Sequence, residues 1–364
     1  TQKDSPPPSG WITLPELRAI LQATPPAPLP EDFAVPKGYE VPDAVFHREF
    51  VDEAMRSAGK AIVLTGPPGR GKSTYLSALC DTFAEKDIPT VRHHYFWSTT
   101  ERGRDRVHSY VVEESIRSQI KRFHPNVPST SGSLRVLLEA AASHYKSLDK
   151  PFVLILDGLD HVWRIHAADK QPLEDLFSQL VPCPENLVLL VGTQPVDDTQ
   201  LPADLLVAAP RANWKMLPPM SGDAVLSYLQ QAVQTGRLST RLEPVELEEP
   251  ELHGEESKAE TSRPSALHEA AIEQELQSAA VALRARTNGH PLHVIYATSA
   301  LVLAGGKVTR WDVEQLTGDL SQEAKFYYGS LWERLSPSSK DALRLVCTFP
   351  FFWPRTAFAE IATA

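Results

Sequence analysis

Between residues 60 and 194, short apolar segments alternate with longer amphipathic segments. The apolar segments have the length of β-strands and lie at 61–65, 91–97, 152–156 and 187–192. The amphipathic segments have helical periodicity and lie at 73–86, 107–123, 133–147 and 173–180. Strands that are apolar on both faces and alternate with helices are typical of a parallel sheet covered on both sides. The pattern therefore predicts an α/β domain.

Beyond about residue 220 the predicted strands end and only helices follow. We predict helices at 222–234, 265–286 and 291–303, and two more amphipathic helices after residue 321. The stretch 238–265 contains Glu, Pro and Gly but no aromatic residue, so it is predicted to be a flexible, solvated insert. We place a core at 45–218, a helical domain at 219–318 and the beginning of a third domain at 319–364.

The first 44 residues are rich in proline, which fixes φ and removes backbone N–H donors. One short amphipathic segment, at 14–23, interrupts the prolines. We therefore predict a lead-in segment at 1–44 and no separate domain there. Because the sequence starts without Met and stops within an apolar stretch at 358–364, we also expect it to be an excerpt of a longer protein.

Most of the negative charge lies within the predicted insert. The net charge of the chain is -10, and residues 243–260 hold eight Glu against one Lys, or -7, which leaves about -3 for the rest. A dedicated nucleic-acid-binding protein has a broad basic excess, because phosphate neutralisation supplies most of its non-specific affinity. We therefore expect no nucleic-acid partner.

Neither a membrane nor a secreted environment is expected from the composition. No apolar run approaches the roughly 20 residues that a spanning helix needs, and the chain does not begin with a charged and then apolar leader. Cys80, Cys183 and Cys347 lie far apart and have no metal-ligand spacing. We expect no disulfide framework and no zinc site, and we expect a cytoplasmic location.

The segment after the first predicted strand matches the phosphate-loop pattern G-x-x-x-x-G-K-[ST] at every defined position. Its residues are Gly66, Pro67, Pro68, Gly69, Arg70, Gly71, Lys72, Ser73 and Thr74. Glycines let backbone N–H groups surround phosphate oxygens, and the following helix adds partial positive charge at its N-terminus. Lys72 is predicted to reach the β- and γ-phosphates, and Ser73 to place its hydroxyl on Mg²⁺.

Polar residues follow the next two central strands. Asp157 ends the third predicted strand, where it can hold Mg²⁺ through water. Asp160 is our candidate for polarising the attacking water and is predicted to be catalytic together with Lys72, with a capping or turn role for Asp160 as the alternative. Thr193 and Gln194 end the fourth strand; they can contact the γ-phosphate or satisfy a loop backbone. His161 is expected to face solvent.

Four motifs in this order resemble the STAND class of P-loop NTPases, which is related to the AAA+ group, and in particular its NACHT-like and bacterial Avs-type defence members. They are an hhGRE-like motif at 45–49, the phosphate loop, a DGLDE-like motif at 157–162 and a GxP-like motif at 287–292. His47 replaces the usual glycine of the first motif, and Gln194 stands where the family often has a sensor arginine. The resemblance covers roughly residues 40–364.

The resemblance implies a P-loop NTPase core, a helical lid domain at 219–318 and the start of a winged-helix domain at 319–364. It implies that Pro291 packs against adenine, with Arg48 in the same pocket, and that ATP or ADP with Mg²⁺ is the ligand. Such proteins are switches that hydrolyse ATP slowly, open on nucleotide exchange and form homo-oligomers. Their N-terminal effector and C-terminal sensor regions would lie outside this chain, and innate or anti-phage defence is the implied context.

Three other functions stay open. A loader ATPase of the origin-recognition type shares the core and the winged helix and acts on DNA, but the acidic balance argues against it. A nucleotide-binding module without hydrolysis stays open as an alternative, because Asp160 is three residues from Asp157 and not adjacent to it. A metabolic kinase needs an acceptor pocket, for which the sequence offers no candidate.

Two further groups of residues have a structural interpretation as well as a functional one. The basic cluster at 101–106 is expected to face water, although contact with a neighbouring subunit's nucleotide is the alternative. Aromatic residues near the C-terminus are expected to form the winged-helix core and no base-stacking surface. They are Phe326, Tyr327, Tyr328, Trp332, Phe349, Phe351, Phe352 and Trp353.

Overall fold

The computed structural model describes residues 35–96, 106–128, 132–165, 169–240, 266–316, 332 and 335–348. The predicted helix at 14–23, the predicted insert from residue 241 to 265, and most of the predicted winged-helix domain lie outside these ranges. The hypothesis about the C-terminal aromatic cluster therefore concerns residues of which only Trp332 is described.

Within the described residues, five parallel strands form one sheet in the order β2-β3-β4-β1-β5. The strands are β1 (Lys60–Thr65), β2 (Thr90–His94), β3 (Phe152–Asp157), β4 (Leu187–Thr193) and β5 (Lys215–Met216). The helices of this part are α1 (Ala44–Arg56), α2 (Lys72–Glu85), α3 (Ser109–Phe123), α4 (Leu134–Lys146), α5 (Asp160–Ile165), α6 (Gln171–Leu180) and α7 (Ala203–Ala208). Single 3₁₀ turns follow at Asp198–Gln200 and Arg211–Asn213. The sheet confirms the predicted α/β class.

The sheet is covered on both faces because its strands alternate between two hydrophobic clusters. One cluster packs against α3, α4 and α6 and receives Val63, Leu154, Leu156, Leu189 and Val191 from the strands. The other packs against α1 and α2 and receives Ile62, Leu64, Val153, Ile155, Val188 and Leu190. Successive strand residues point to opposite faces, so a strand buried on both sides must be apolar throughout.

Of the strands and helices of this part, α5 and α7 were not predicted, and three others also differ from the sequence prediction. β2 ends at His94 and not at residue 97, because its partner β3 ends at Asp157 and leaves no backbone to pair with. β5 is only two residues long, too short to show a period. α1 was not predicted as a helix; Asp43 caps it by accepting a hydrogen bond from the Phe46 backbone at 2.7 Å.

Side chains satisfy the free edge of strand β2. The Arg92 backbone N–H donates to Gln119 Oε1 at 3.0 Å, and Gln119 Nε2 donates to the Arg92 carbonyl at 2.6 Å. Arg106 Nη1 donates to the His94 carbonyl at 3.0 Å. The expectation that the cluster at 101–106 faces water is therefore wrong for Arg106, which is fully buried where it closes this sheet edge.

Helices beyond the sheet form a second core. They are α8 (Gly222–Gln234), α9 (Ala266–Thr287), α10 (Pro291–Leu303) and α11 (Arg310–Glu314), and α12 (Pro337–Thr348) follows where the last amphipathic segment was predicted. Leu238 and Thr240 are buried, and Ser239 forms an isolated bridge with Lys307. The chain thus stays packed on the helical region until at least Thr240, two residues past the predicted start of the insert at 238.

None of the helices in the described ranges has both the length and the apolar character needed to cross a bilayer.

We predict that Gln119→Leu destabilises the protein by about 1–3 kcal/mol, because it leaves a backbone donor and acceptor at the edge of β2 without partners. Urea denaturation measures the change. The matched control is Gln171→Leu on α6, where an exposed amide contacts Asp175 one turn away and about 0.5 kcal/mol or less is expected. Equal losses in the free energy of unfolding for the two substitutions would show that the contacts of Gln119 with β2 add no stability beyond that of an exposed side-chain contact.

Candidate nucleotide-binding site

The phosphate loop joins the end of β1 to the first residue of α2. Gly69 and Gly71 adopt φ values of 72° and 87°, which side chains other than glycine rarely tolerate. Gly71 is also the N-cap of α2, so the first-turn N–H groups, which a helix itself provides with no acceptor, lie at the loop. The loop therefore presents backbone donors and the positive end of a helix dipole, an arrangement suited to phosphate.

Two cationic side chains belong to this loop. Lys72 is only 8% exposed, and its Nζ donates to the carbonyls of Gly66 at 2.7 Å and Pro67 at 3.2 Å. Its ammonium is thus held against the loop, where phosphate oxygens can replace the carbonyls as acceptors. Arg70 Nε and Nη1 are buried and have no hydrogen-bond partner among the described residues, and burial lowers the pKa of Arg70.

Asp157 is the last residue of β3 and is 1% exposed. Its Oδ2 accepts a hydrogen bond from His94 Nδ1 at 3.1 Å, whereas Oδ1 has no partner in the described part of the chain. Oδ1 lies against Gly192 on β4: a Cβ built on that glycine would overlap Oδ1 and come within 2.6 Å of Leu76 Cδ1 on α2. The carboxylate therefore faces both β4 and the helix that begins at the phosphate loop.

In the parallel register, Asp157 of β3 pairs with Gly192 of β4, and Gly192 pairs with Leu64 of β1. Two strand spacings, or about 10 Å, therefore separate the Asp157 backbone from β1. A carboxylate at this separation suits contact with a metal through water, as the sequence analysis expected. Ser73 and Leu76 are three residues apart on α2 and share a helix face, which directs Ser73 toward the same sheet edge.

Asp160 begins α5 and is 4% exposed. Its Oδ1 accepts a hydrogen bond from the Gln194 backbone N–H at 3.1 Å, so it ties the turn after β3 to the end of β4. Thr193 is buried, and its hydroxyl donates to the Gln194 carbonyl at 3.2 Å. These contacts are of the backbone-satisfying kind that the sequence analysis named as the alternative for Asp160 and Thr193.

The helical region touches the phosphate loop directly. His290, the N-cap of α10, places Nε2 at 3.1 Å from the Pro68 carbonyl. A Cβ on Gly69 would lie 3.0 Å from His290 Cε1 and 3.0 Å from Leu292 Cδ2. Pro291 is the first residue of α10. The GxP-like motif and the phosphate loop, 222 residues apart at the His290 bond, are thus brought together.

The hhGRE-like motif lies on α1, beside the phosphate-loop helix. His47 Nδ1 is 3.2 Å from the Tyr75 hydroxyl, and the two rings meet edge to face with centroids 5.8 Å apart. Burial and, less strongly, Lys86 lower the pKa of His47. Arg48, the predicted adenine contact, is exposed on this helix. His161 is half-buried and stacks on Phe96 with centroids 4.8 Å apart, so it does not simply face solvent.

Sequence analysis missed four residues that the fold adds to the site. Thr65, paired with Thr193 in the register, has a buried hydroxyl without a partner among the described residues. His94 and Gly192 frame the Asp157 carboxylate, and His290 contacts the loop. Two sequence signals were present: the unusual His93-His94 pair inside an apolar strand, and the position of His290 within the GxP-like motif. Thr65 and Gly192 gave no signal, because threonine and glycine are common at the ends of strands.

The structure thus offers buried polar atoms that a ligand can satisfy. The guanidinium of Arg70 can bind an anion, whereas Oδ1 of Asp157 and the hydroxyl of Thr65 can hold a cation or its water shell. A magnesium nucleotide supplies both partners, and the residues present therefore fit this ligand.

Residues 60–235 match the family model of the NACHT domain. No curated protein sequence matches the chain at a significant level.

Several solved structures are similar to this chain at low identity. The ORC2 protein of Aeropyrum pernix in its ADPNP-ADP complexes is 11% identical with a TM-score of 0.39, over 83% of this chain and 72% of that chain. The ORC1 protein of Aeropyrum pernix in complex with DNA is 13% identical with a TM-score of 0.39, over 92% and 79%. The Walker-type ATPase PABY2304 of Pyrococcus abyssi is 14% identical with a TM-score of 0.39, over 73% and 74%.

We predict that acidification weakens the packing of α10 on the phosphate loop through His290. Burial, and next the nearby His293, lower the pKa of His290 from its ordinary 6.5 to about 4, with Arg70 and Lys72 adding to the effect and the bond to Pro68 opposing it. Since the unfolded chain then binds the proton more tightly, the contribution of neutral His290 to stability is complete above pH 6.5 and is lost as the pH falls toward 4.

Thermal denaturation at two pH values, near neutrality and near 5, measures this loss. The fall in Tm on acidification is expected to be smaller in His290→Gln than in the wild-type protein. His108→Gln, at the N-cap of α3 beside the outer strand β2, is the control and is expected to keep the wild-type fall. A wild-type fall in His290→Gln as well would contradict the assignment to His290.

Proposed function

We propose that this protein is an ATP-dependent switch, because residues 60–235 match the family model of the NACHT domain, which is a P-loop NTPase domain. In this proposal it binds ATP or ADP with Mg²⁺, hydrolyses ATP slowly, and couples the bound nucleotide to the arrangement of its helical region. The single observation that supports coupling is the 3.1 Å contact between His290 and the Pro68 carbonyl. That bond joins the first turn of α10 to the loop that surrounds phosphate.

The proposed phosphate contacts come from the loop itself. Backbone N–H groups from Gly66 to Thr74 surround the phosphate oxygens, and Lys72 and Arg70 neutralise their charge. In this proposal Lys72 exchanges the carbonyls of Gly66 and Pro67 for phosphate oxygens when the nucleotide binds. Burial strengthens both interactions, because charge–charge attraction rises as water is excluded.

Ser73 and Asp157 are the proposed residues for Mg²⁺, which supplies charge neutralisation and orientation of the phosphates when it is bound. Ser73 would contact it directly and Asp157 through water. Pro291 and Arg48 are the proposed adenine contacts. Pro291 follows His290 and begins α10, so a nucleotide packed against it also contacts the helical region.

Asp160 is the proposed water-polarising residue, with Thr193 and Gln194 as the proposed γ-phosphate contacts. The bond from Gln194 N–H to Asp160 Oδ1 links these two roles: a change at Gln194 on γ-phosphate binding alters the hydrogen bonding of the carboxylate. The same bond favours a second candidate function, a nucleotide-binding module that does not hydrolyse, because it already gives Asp160 a structural role.

A switch requires contacts that only one nucleotide state makes. Here the γ-phosphate would add contacts at the ends of β1 and β4, while the loop already bears the lid contact at Pro68. We propose that this difference controls lid opening and that opening permits homo-oligomerisation. A role in innate or anti-phage defence, with effector and sensor regions beyond this chain, is proposed on the resemblance of the motifs alone.

The proposal is tested by denaturing the purified protein, identifying the released nucleotide by chromatography, and measuring turnover of added ATP. Released ADP with slow turnover supports a resting switch. An empty site with rapid turnover would instead indicate a continuously cycling motor or loader.

We predict that Lys72→Ala weakens ATP binding by about 10- to 100-fold, the effect of losing charge-assisted hydrogen bonds worth about 1.5–3 kcal/mol. Equilibrium binding of a fluorescent ATP analogue measures the loss. Lys86→Ala, at the other end of the same helix, is the control and should bind as the wild-type protein does. Unchanged binding by Lys72→Ala would refute a phosphate-binding role for this loop.

We predict that Asp160→Asn retains ATP binding and lowers turnover by about 10²- to 10⁴-fold, the usual contribution of a positioned general base. Phosphate release under single-turnover conditions gives the rate. Asp81→Asn, an exposed carboxylate on α2, is the control. If Asp160→Asn hydrolyses ATP at the wild-type rate, Asp160 is a turn residue and a different group polarises the water.

A further inference from the structure

The carboxylate of Asp157 is held between two strands. Its Oδ2 meets His94 Nδ1 at 3.1 Å on the side of β2, and its Oδ1 lies over Gly192 on the side of β4. In the sheet order β2-β3-β4-β1, the second direction is the direction of β1 and the phosphate loop. Oδ2 is therefore hydrogen-bonded to β2, on the side away from the phosphate loop, whereas Oδ1 faces the candidate nucleotide site.

His94 is itself fixed in place. It is fully buried, its carbonyl accepts a hydrogen bond from Arg106 Nη1 at 3.0 Å, and its residue pairs with Asp157 in the last step of the β2–β3 register. The next backbone N–H, of Tyr95, donates to the Asp157 carbonyl at 2.9 Å. Backbone and side chain of Asp157 are thus both bonded to β2, so the imidazole has little freedom to release the carboxylate.

The hydrogen bond of His94 to Oδ2 leaves Oδ1 as the oxygen that a metal can contact. An ionised carboxylate can only accept hydrogen bonds, so the imidazole N–H is the donor. Without this donor the carboxylate could rotate about its last torsion, whose preferences are broad, and either oxygen could turn away from the site. Hydrogen bonds to metal-binding carboxylates commonly control metal affinity in this way.

We propose that His94 is a positioning residue for magnesium: through Oδ2 it orients Asp157 so that Oδ1 faces the metal of the bound nucleotide. This inference rests on the proposed function, in which Asp157 holds Mg²⁺. It assigns to a residue outside the four sequence motifs a part in metal affinity, and it gives His94 no part in nucleotide binding without metal.

The test compares His94→Leu, which removes the donor at similar volume, with His94→Asn, whose Nδ2 is as many bonds from the backbone as His Nδ1. A fluorescent ATP analogue is titrated onto the whole chain in EDTA and then over a range of Mg²⁺ concentrations. His93→Leu is the matched control: it removes the neighbouring buried imidazole, which faces the other side of β2 and contacts the Arg106 carbonyl at 3.0 Å.

The midpoint Mg²⁺ concentration is expected to rise about 10- to 100-fold in His94→Leu, the usual effect of losing a hydrogen bond to a metal ligand. It should stay near the wild-type value in His94→Asn and His93→Leu, and the affinity in EDTA should be the same in all four proteins. If His94→Leu does not fold, His94→Ala, which also lacks the donor, replaces it.

An unchanged midpoint in the donor-less variant overturns the inference, as does a loss in His94→Asn equal to that in His94→Leu. A loss of affinity in EDTA also overturns it, because the effect would then not be specific to the metal. Failure of the proposed function has a different signature: the wild-type protein itself would bind the analogue weakly or without any dependence on Mg²⁺.

Discussion

The parallel register of β1, β4 and β3 is the constraint on which the site depends. It brings Thr65, Thr193 and Asp157 to the carboxyl ends of neighbouring strands. In the sequence, α2, β2, α3 and α4 lie between Thr65 and the strand that ends in Asp157. The register holds only if nothing projects from Gly192 toward the Asp157 carboxylate. Gly192 lies within a strand and not in a turn, and glycine is required there because the Asp157 carboxylate approaches so closely. The hydrophobic clusters on both faces of the sheet keep the strands in this register.

Several buried polar atoms around the ends of β1 and β3 have no hydrogen-bond partner among the described residues. An unsatisfied buried polar group costs about 1–3 kcal/mol, and these atoms include one on Asp157, one on Thr65 and two on Arg70. Along the outer strand β2, by contrast, Gln119 and Arg106 supply hydrogen bonds to the backbone groups of Arg92 and His94. A charged ligand with its metal can satisfy the atoms of Asp157, Thr65 and Arg70, and a ligand that binds only the folded state stabilises that state.

The hydrogen bond between His290 and the Pro68 carbonyl connects the helical region to the phosphate loop. Because the contact is a single polar bond with apolar support from Leu292 beside Gly69, it is weak enough to be rearranged by a ligand with several charges. Asp160 and Gln194 connect the opposite side of the site in a similar manner. Two hydrogen bonds thus border the proposed nucleotide site, one to the helical region and one between the ends of β3 and β4.

The sequence by itself determined the α/β class, the boundaries of β1, β3 and β4 to within one residue, and the phosphate loop, because these follow from local periodicity and from residue types at short spacing. It could not determine the two-residue β5, the end of β2 or the burial of Arg106, which depend on what a distant partner strand leaves unpaired. Likewise only the tertiary structure brought His94 to Asp157 and His290 to Pro68. Those contacts join residues that are 63 and 222 positions apart in the sequence. No local pattern can show that two such residues meet once the chain has folded.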